Sequence, residues 1–432
     1  MNVSVEHNRS SALRQLLRNR MPKLPRGITS VCSAHPLVIE AALKHAASEG
    51  SAALIEATCN QVNQEGGYTG MTPRDFRRFV EDIASAVGFP IERLILGGDH
   101  LGPNPWKKLP AHDAMVCAEA MMAAYVEAGF EKIHLDTSMG CAGEPVALTD
   151  ELTAGRAARL ARVAEDAALR SGHRAPVYII GTEVPPPGGA SHALDNLEIT
   201  RPEASISTLE VHHAAFAKAG IEAAIERVIG IVVQPGVEFS NADVAVYRPD
   251  RTHALVSALD HMPGLIFEAH STDYQPARAL AALVDGGFAI LKVGPGLTFA
   301  LREALYGLDA IAKVLAAEAS SDSLYAIMET TMLEKPESWG SYYGGSAEEQ
   351  RLQRHFSYSD RIRYYWPDKR AVSAVESLFT RLDGDIPETL ISQYLGRIYP
   401  AVIDKKVPPR ARDLCIAAIE MALAPYSAAT IA

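Results

Sequence analysis

Histidine and carboxylate side chains stand close together at several points in the first 300 residues of the sequence. Asp99 directly precedes His100, and His134 lies two positions before Asp136, a spacing that puts both on one side of a strand. Mixed imidazole and carboxylate ligands suit Zn, Mn, Co or Ni ions, and the same groups can transfer protons. These pairs therefore indicate acid–base chemistry at a divalent metal.

Two further segments carry the same residue types. Glu183 follows Gly181 and Thr182, and His270 lies three positions before Asp273. A lone buried histidine or aspartate is usually a hydrogen-bonded structural group, so none of these residues is diagnostic by itself. Four such groups at the ends of four predicted strands favour one shared metal site over separate structural roles.

A polar stretch accompanies the second predicted strand. It contains Glu56 and Asn60 and continues through the glycine-rich segment 66–70. Amide groups offer both hydrogen-bond donors and acceptors, as sugar hydroxyl groups require. We therefore expect substrate-binding groups here, together with His134 and Asp273. A glycine-rich loop that makes only local turns is an equally good interpretation.

A second candidate binding segment lies where the eighth predicted strand meets a helix. Lys292 is followed by Gly294 and, four positions later, by Thr298. A glycine-rich turn at a helix N-terminus can bind phosphate, and barrels often hold phosphate at this point; the alternative is an ordinary strand–helix turn. Arg361 and Arg363 could form a second clamp for an anion, or surface ion pairs.

These residues follow short apolar runs that alternate with helix-like stretches rich in Ala, Leu, Glu and Arg. Eightfold alternation of strand and helix predicts an α/β protein with a (β/α)8 TIM barrel, whose strands bring their C-terminal ends to one common mouth. The eight runs are Gly27–His35, Ala52–Asn60, Arg93–His100, Lys132–Ser138, Val177–Val184, Ile229–Gly236, Leu265–Asp273 and Ala289–Thr298.

The chain of 432 residues is longer than the roughly 250 residues that one barrel needs. We expect the barrel over residues 27–319, preceded by an N-terminal helical segment over 1–26. Residues 320–432 are expected to form a cap or loop region and C-terminal helices that pack on the barrel. The aromatic and polar part of this region, over 320–370, fits a cap over the mouth or an oligomer contact.

Composition narrows the class of protein. The formal net charge of −11 and the lack of a basic tract argue against nucleic-acid binding. No apolar run reaches the ~20 residues of a membrane span, so no membrane partner is expected. The five cysteines have no CxxC spacing, which indicates reduced thiols in a cytoplasmic protein. A homo-oligomer is expected because most soluble oligomers assemble from identical chains.

Longer segments of the sequence resemble one known family over roughly residues 25 to 400. The chain is similar to the GatZ/KbaZ family, the Z-type subunits of tagatose-1,6-bisphosphate aldolase and their relatives, which in turn resemble class II aldolases of TIM-barrel fold. The segments that carry this resemblance are SVCSAHPLVIEAAL, LIEATCNQVNQEGGYTGMTPRDF, LGGDHLGPNPW, AGFEKIHLDTSM, GTEVPPPGG, VVQPGVEF, FEAHSTDYQ, LKVGPGLTFALREA and SDRIRYYWP.

The resemblance implies roles for individual residues. Asp99 would be the acid–base group, with Asp136 and Glu183 as further candidates for proton transfer. His100, Glu183 and His270 would bind the metal, which would be zinc, with manganese, cobalt or nickel as alternatives.

The resemblance also implies a phosphorylated ketohexose as substrate, D-tagatose 6-phosphate or the 1,6-bisphosphate, and retro-aldol chemistry. Epimerisation at C4, which gives D-fructose 6-phosphate, is the favoured reaction. The alternative is a non-catalytic subunit that stabilises a class II aldolase partner. The family has carried a kinase label, but kinase activity is disfavoured because the sequence has no GxxxxGK[ST] phosphate-binding loop.

Overall fold

The structure is a computed structural model, and it describes residue 13 and residues 27–181, 197–316 and 323–431. Eight parallel strands close into a barrel, in which the last barrel strand pairs with the first. The barrel consists of β1–β6, β9 and β10, and β7 with β8 forms a small antiparallel hairpin. The expected (β/α)8 fold is therefore confirmed. The strands are β1 (Ile28–Cys32), β2 (Ala53–Thr58), β3 (Leu94–Leu101), β4 (Lys132–Leu135), β5 (Val177–Ile180), β6 (Val228–Val232), β7 (Glu238–Phe239), β8 (Val244–Ala245), β9 (Ile266–Ala269) and β10 (Phe288–Val293).

Helices follow the barrel strands and continue beyond the barrel. Each barrel strand begins within one residue of the start of a predicted run, because the apolar runs mark the buried strands directly. The helices are α1 (Pro36–Ser48), α2 (Pro73–Ala86), α3 (Ala111–Glu127), α4 (Asp150–Ser171), α5 (Pro202–Lys218), α6 (Glu222–Ile225), α7 (Pro249–Ser257), α8 (Ala277–Asp285), α9 (Pro295–Leu315), α10 (Leu324–Glu334), α11 (Ala347–Phe356), α12 (Lys369–Arg381), α13 (Glu388–Tyr394), α14 (Tyr399–Ile403) and α15 (Ala411–Ile431).

Local sequence explains where several helices begin. The ring of His35 accepts a hydrogen bond from the amide of Leu37 and caps α1, whose first residue is a proline. Thr72 and Asp75 form a reciprocal capping box at the start of α2. These two caps fix where α1 and α2 begin after β1 and β2, at the loops that line the site.

The inside of the barrel is divided into an apolar part and a charged part. Leu54, Ile95, Ile266 and Ile290 belong to an apolar cluster that Leu13 of the N-terminal segment also joins. Two positions further along β2, β9 and β10, on the same inward side, the residue is charged instead, whereas in β3 it is Gly97. The rest of the predicted N-terminal helical segment lies outside the described residues.

The C-terminal helix α15 is part of the barrel wall. It packs against β1, against α1 and α8 on either side, and against α9. Within the described part of the chain, α15 alone is long and apolar enough to cross a membrane, contrary to the expectation that no stretch would be. Half of its most apolar stretch is buried inside the fold.

The region between α10 and α12 lies against the loop of the β7–β8 hairpin. The hydroxyl groups of Ser357 and Ser359 each donate to the side-chain oxygen of Asn241 at 2.9 Å. The hydroxyl group of Tyr274, after β9, donates to the carbonyl of Tyr358 at 2.6 Å. This region therefore contacts loops at the mouth of the barrel.

Candidate active site

A cavity of about 110 Å³ opens at the carboxyl ends of the strands. Asp99 and His100 of β3, His270 after β9 and Lys292 of β10 line its floor. Its lining residues are Cys32, Thr58, Cys59, Asn60, Gln61, Tyr68, Asp99, His100, Phe239, His270, Ser271, Asp273, Lys292, Val293, Gly294, Pro295, Arg363 and Tyr364. The strand ends therefore converge where the alternation of strands and helices predicts.

A β-bulge makes two neighbouring residues of β3 face the same cavity. Between Gly98 and Leu101 the strand contains one residue more than its partner β4, and His100 has a left-handed backbone with φ of 51°. Successive side chains of a regular strand point to opposite faces, whereas a bulge redirects one of them. Asp99 and His100 are both buried and both line the cavity for this reason.

Four side chains at the mouth offer candidate metal ligands. The ligand atoms of Asp99, His100, His134 and His270 all lie within 4.8 Å of one another. Two ligands on opposite sides of one zinc ion would be about 4 Å apart at usual bond lengths, so the cluster has the right size. The described residues therefore fit a divalent cation.

The carboxylate of Asp136 orients His100 for this purpose. One of its oxygens lies 2.8 Å from Nδ1 of His100, and the hydroxyl group of Ser138 donates to the other. A carboxylate that holds one ring nitrogen of a histidine while the other faces a metal is the usual outer-shell arrangement. The side of the ring away from Asp136 faces Asp99, with Nε2 at 3.7 Å from its carboxylate.

His134 is held differently from His100. Its Nδ1 is 3.2 Å from the amide nitrogen of His100 and 3.1 Å from Asp99, and its Nε2 is 3.1 Å from the carbonyl oxygen of Gly181. Both ring nitrogens thus contact polar groups of the protein. By distance His134 belongs to the candidate metal cluster, whereas the sequence analysis expected it only to bind substrate.

A charged network lies directly beneath the cavity. Lys132 places its ammonium group 2.6 Å from Glu56 and 2.7 Å from Glu268. Lys292 contacts Glu56, approaches Asp99 at 2.9 Å and lies 3.8 Å from Glu268. Glu268 in turn accepts from Nε2 of His270 at 2.8 Å. The network therefore connects the buried lysines to the histidines of the mouth.

Charge balance in this network also favours a bound cation. Burial opposes ionisation of Asp99, yet His100 and Lys292 hold the pKa of its carboxyl group well below the usual range. Burial and the nearby Lys292 lower the pKa of His270 well below its usual value, so its ring is neutral, as a metal ligand requires. Carboxylates outnumber lysines in the network, and a divalent cation would offset this excess of negative charge.

The expected substrate-binding residues separate into two groups. Asn60 and Asp273 line the cavity, and Lys292 lines it from below. Glu56 is fully buried under the cavity in the charged network, so the structure does not place it among the lining residues. Glu183, the expected ligand and acid–base group, lies outside the described residues.

The turn after β10 carries an internal anion. Asp273 accepts hydrogen bonds from the amides of Gly294 at 3.0 Å and Gly296 at 2.7 Å. Burial raises the pKa of Asp273 to about 6, although these two amides counteract the rise. Thr298 donates to Asp360 at 2.6 Å. The groups expected to bind phosphate here are therefore engaged with carboxylates of the protein.

The two arginines of the cap differ in position. Arg361 donates to the carbonyl of Ser338, its guanidinium group lies 3.3 Å from the ring centre of Tyr342, and it is not among the cavity-lining residues. Arg363, two positions later, lines the cavity. Both guanidinium groups lie near the ring of Tyr364, so the sequence spacing could not show which of the two lines the cavity.

Lys132 and Glu268 are functional candidates that the sequence analysis did not select. Both are fully buried and charged, and they join the two halves of the network. The available signal was a charged residue at an inward position of a strand, two residues before an expected site residue: Lys132 precedes His134, and Glu268 precedes His270.

The fold and the site define a (β/α)8 barrel protein with a buried His/Asp cluster at the carboxyl ends of its strands that could hold a divalent metal ion. The chain belongs to the GatZ/KbaZ-like family of D-tagatose-1,6-bisphosphate aldolase subunits, whose family model matches residues 13–431.

Two relatives cover nearly the whole chain. A protein named D-tagatose 6-phosphate 4-epimerase from Agrobacterium fabrum strain C58 is 54% identical over 422 residues, which are 98% of this chain and 99% of that protein. A crystal structure of a probable tagatose 6-phosphate kinase from Sinorhizobium meliloti 1021 is 60% identical in sequence, with a TM-score of 0.87. The match covers 93% of this chain and 100% of that one. The resemblance to the family expected from the sequence is confirmed.

Proposed function

We propose that this chain is a divalent-metal-dependent 4-epimerase that converts D-tagatose 6-phosphate into D-fructose 6-phosphate. The observation that carries this proposal is the 54% identity, over 98% of the chain, to a protein named for that activity. The cluster of Asp99, His100, His134 and His270 supports it, because the cluster supplies both candidate metal ligands and an acid–base group.

His100 and His270 would hold the ion. Glu183, expected both as a ligand and as an acid–base group, is assigned to proton transfer, because a carboxylate that binds a metal carries no proton. A divalent cation, zinc in this proposal, supplies a Lewis acid that stabilises negative charge on the ketose oxygens. Asp136 fixes the ring of His100 through Nδ1, and Glu268 fixes the ring of His270 through Nε2. The protein thus contributes two histidines whose orientations are set before any ligand arrives.

Asp99 would act as the base towards the C4 hydroxyl group. Its carboxylate is ionised at neutral pH because His100 and Lys292 lower its pKa despite burial. When the proton leaves O4, the C3–C4 bond breaks, its electron pair moves towards the C2 carbonyl, and C4 becomes an aldehyde carbon. If the retained aldehyde rotates before the bond forms again, its other face is attacked and C4 is inverted.

A second acid must return the proton to O4 after the aldehyde has turned. Asp136 is engaged with His100 and Ser138, so we assign this step to Glu183. Asn60 and Asp273 would bind sugar hydroxyl groups from the cavity wall. The strand ends and the region 320–370 beside the mouth would retain the aldehyde, whereas its release would make the same chemistry an aldolase reaction.

A second candidate function follows from the family's description as an aldolase subunit. In that case the barrel would stabilise a separate class II D-tagatose-1,6-bisphosphate aldolase without catalysing the reaction itself. Kinase activity is not proposed, because the sequence has no GxxxxGK[ST] loop.

The test is an assay on the purified protein alone after reconstitution with zinc, manganese, cobalt or nickel. D-Tagatose 6-phosphate is supplied, and fructose 6-phosphate and triose phosphates are followed separately. We expect fructose 6-phosphate without free triose phosphates, and loss of the product with a chelator. Asp99→Asn is expected to lower kcat by about 10²- to 10⁴-fold while the bound metal is retained.

Other outcomes would replace the proposal. Accumulation of triose phosphates would identify an aldolase. If no metal gives any product, the accessory-subunit function becomes the better proposal, and a class II aldolase partner should then gain stability when the two chains are mixed.

We further propose that the protein acts in the cytoplasm as a homo-oligomer. Reduced, scattered cysteines fit that compartment, and closed symmetric assemblies are common among soluble enzymes. Light scattering of the metal-loaded protein would measure the assembly mass, and a value equal to the 46.5 kDa of one chain would contradict the oligomer.

A further inference from the structure

A second cavity of about 330 Å³ adjoins the inner one. It lies between the loop after β1 and the C-terminal region, and Trp366 and Phe379 form part of its wall. Both cavities share five lining residues: Cys32, Gln61, Tyr68, Gly294 and Arg363. The two cavities therefore adjoin at these five residues, which we call the neck, and Arg363 is one of them.

The inner cavity alone is small for a phosphorylated hexose. Small-molecule sites usually enclose about 300–1,000 Å³, whereas the inner cavity encloses about 110 Å³. A ketohexose phosphate whose reacting carbons lie beside Asp99 and His100 must therefore extend towards the neck. The phosphate, at the end of the molecule furthest from the keto group, would reach the neck or pass it.

Two described basic side chains line the inner cavity, Lys292 and Arg363. Carboxylates already neutralise the charge of Lys292. It contacts Glu56, Asp99 and Glu268 in the buried network. In the wall of the outer cavity, Arg412 is paired with Glu40. Neither cation is therefore available to an incoming anion.

Arg363 differs from both of these cations. It donates to the carbonyl oxygens of Ser359 and Asp360 and, at 3.0 Å, to the hydroxyl group of Tyr364. Among the described residues it forms no ion pair with a carboxylate. The carboxylate of the adjacent Asp360 is instead taken by Arg302, at 3.0 Å, and by Thr298.

These contacts hold Arg363 in place without cancelling its charge. Asp360 has a left-handed backbone with φ of 44°, and its ion pair with the buried Arg302 fixes the turn from which Arg363 projects. A guanidinium group held by neutral acceptors keeps its positive charge available to an anion. Of the segments that the structure does not describe, 182–196 and 317–322 contain no lysine or arginine, whereas the N-terminal residues 1–12 and 14–26 contain six.

The usual alternative for phosphate in a barrel is blocked. The amides of Gly294 and Gly296 at the start of α9 both donate to Asp273, so an internal carboxylate already occupies that helix N-terminus. A phosphate placed there would meet a like charge. Arg363 is the remaining described arginine or lysine that faces both cavities without a direct carboxylate partner, and its charge also acts on the nearby Asp273.

We propose that Arg363 binds the phosphate group of a sugar monophosphate at the neck, and that the reacting carbons lie in the inner cavity. The identity of the sugar rests on the proposed function, whereas the anion site rests on the geometry of Arg363 alone. Arg363 is then the residue that distinguishes phosphorylated from free sugars.

The kinetic test compares D-tagatose 6-phosphate with D-tagatose on the metal-loaded protein. Arg363→Gln is expected to lower kcat/KM for the phosphorylated sugar by about 10- to 100-fold, mainly through KM, as for loss of a charged hydrogen bond. Activity on D-tagatose should change little. Arg363→Lys should recover part of the loss, and Arg370→Gln, at an exposed position in α12, should behave as wild type.

An equal loss on both sugars, or no loss on either, would overturn the proposal. Thermal unfolding of each variant shows whether Arg363→Gln merely misfolds, and in that case Arg363→Lys and Arg363→Met provide the comparison.

A binding experiment separates this proposal from the proposed reaction. Metal-loaded wild-type protein and Arg363→Gln are titrated with inorganic phosphate in a calorimeter, which requires no turnover. We expect wild type to bind and the variant to bind at least about 10-fold more weakly. Equal binding would overturn the anion site even if the epimerase is real. Arginine-dependent binding without any fructose 6-phosphate would overturn the reaction and leave the anion site standing.

Discussion

Single residues at the mouth have roles that depend on their partners more than on their type. Asp136 and Asp99 are both buried carboxylates beside His100. Asp136 is held by His100 and Ser138, whereas Asp99 lines the cavity. The first arrangement suits a positioning residue and the second suits a group that contacts substrate.

Asp136→Asn should therefore weaken metal binding more than it changes the chemistry. The amide cannot accept the proton of His100 Nδ1 as a carboxylate does, so we expect metal affinity to fall by about 10- to 100-fold, while kcat at saturating metal changes little. Competition with a coloured chelator measures the affinity. If affinity is unchanged and kcat collapses, Asp136 transfers a proton instead. Asp250→Asn, on the surface, is the control.

Glu238 gives a prediction about pH. Burial raises the pKa of this carboxyl group in β7 to about 7. The native state then binds more protons than the unfolded chain between about pH 4.5 and 7, so this residue makes stability fall as pH rises through that window.

Glu238→Gln removes the cost of the buried charge. The side-chain oxygen that accepts from the amide of Phe239 is kept. We expect the variant to be more stable than wild type at pH 8, by up to about 3 kcal/mol, and nearly equal to it at pH 5. Urea unfolding at both pH values measures the difference. A gain of the same size at pH 5 would show that the pKa of Glu238 is not raised. As a control, Glu92→Gln at an exposed position should leave the free energy of unfolding unchanged at both pH values.

At the scale of elements, β3 requires a glycine at position 97 because of the space available there. A Cβ atom at Gly97 would lie 2.7 Å from a carboxylate oxygen of Glu56, the residue opposite it on β2. The glycine therefore makes room for the charged network, and the bulge that follows it turns His100 into the mouth.

Gly97→Ala should disturb the network from below. We expect overpacking to cost about 1–3 kcal/mol of stability and to lower activity, because Glu56 must move away from Lys132 and Lys292. Gly155→Ala in α4 is the matched control, since nothing lies within 4 Å of its added Cβ and alanine favours a helix by about 0.5–1 kcal/mol. Denaturant unfolding and the epimerase assay measure both effects. A Gly97→Ala protein as stable and active as wild type would show that the network tolerates the methyl group.

The apolar runs located the eight barrel strands, but the stretches between them are less regular. The Ala-rich stretch between β5 and β6 forms two helices instead of one: α5 and the short α6, with Gly220 between them at φ of 65°. Glycine in a left-handed conformation ends a helix, and the apolar pattern alone did not reveal that it would do so here.

At the scale of the whole molecule, the C-terminal helix makes barrel and extension one unit. Ile419 in α15 is fully buried, and the helix lies against β1, α1 and α8. Loss of the packing of α15 should therefore lower the stability of the barrel as well as that of the C-terminal extension.

Ile419→Ala should lower the free energy of unfolding by about 2–5 kcal/mol, as for other buried aliphatic side chains. Met421→Ala, two positions along and 38% exposed, should change it by less than about 0.5 kcal/mol. Near-ultraviolet circular dichroism and activity should be lost in one transition at a lower midpoint. A two-step transition, with the barrel unaffected, would show that α15 is peripheral.

The sequence by itself determined the barrel and the residues at its mouth. Each apolar run is a local property of the sequence. It indicates the position of a strand, and the period of two within it indicates the inward side, whatever the rest of the chain does. The strand ends predicted Asp99, His100, His270 and Asn60, and the structure places all four around one cavity. A regular strand would have pointed Asp99 and His100 to opposite faces, and the bulge in β3 brings both into the cavity.

Only the tertiary structure decided what these residues meet. The pairing of Lys132 with Glu56 and Glu268 depends on how the strands align around the closed barrel, and no segment of the sequence encodes that alignment alone. The filling of the α9 N-terminus by Asp273 and the approach of Arg363 to the neck depend on contacts between segments far apart in the chain. These contacts form because packing between distant segments brings particular side chains together. Local sequence patterns cannot distinguish the actual partner of a side chain from other residues of the same type.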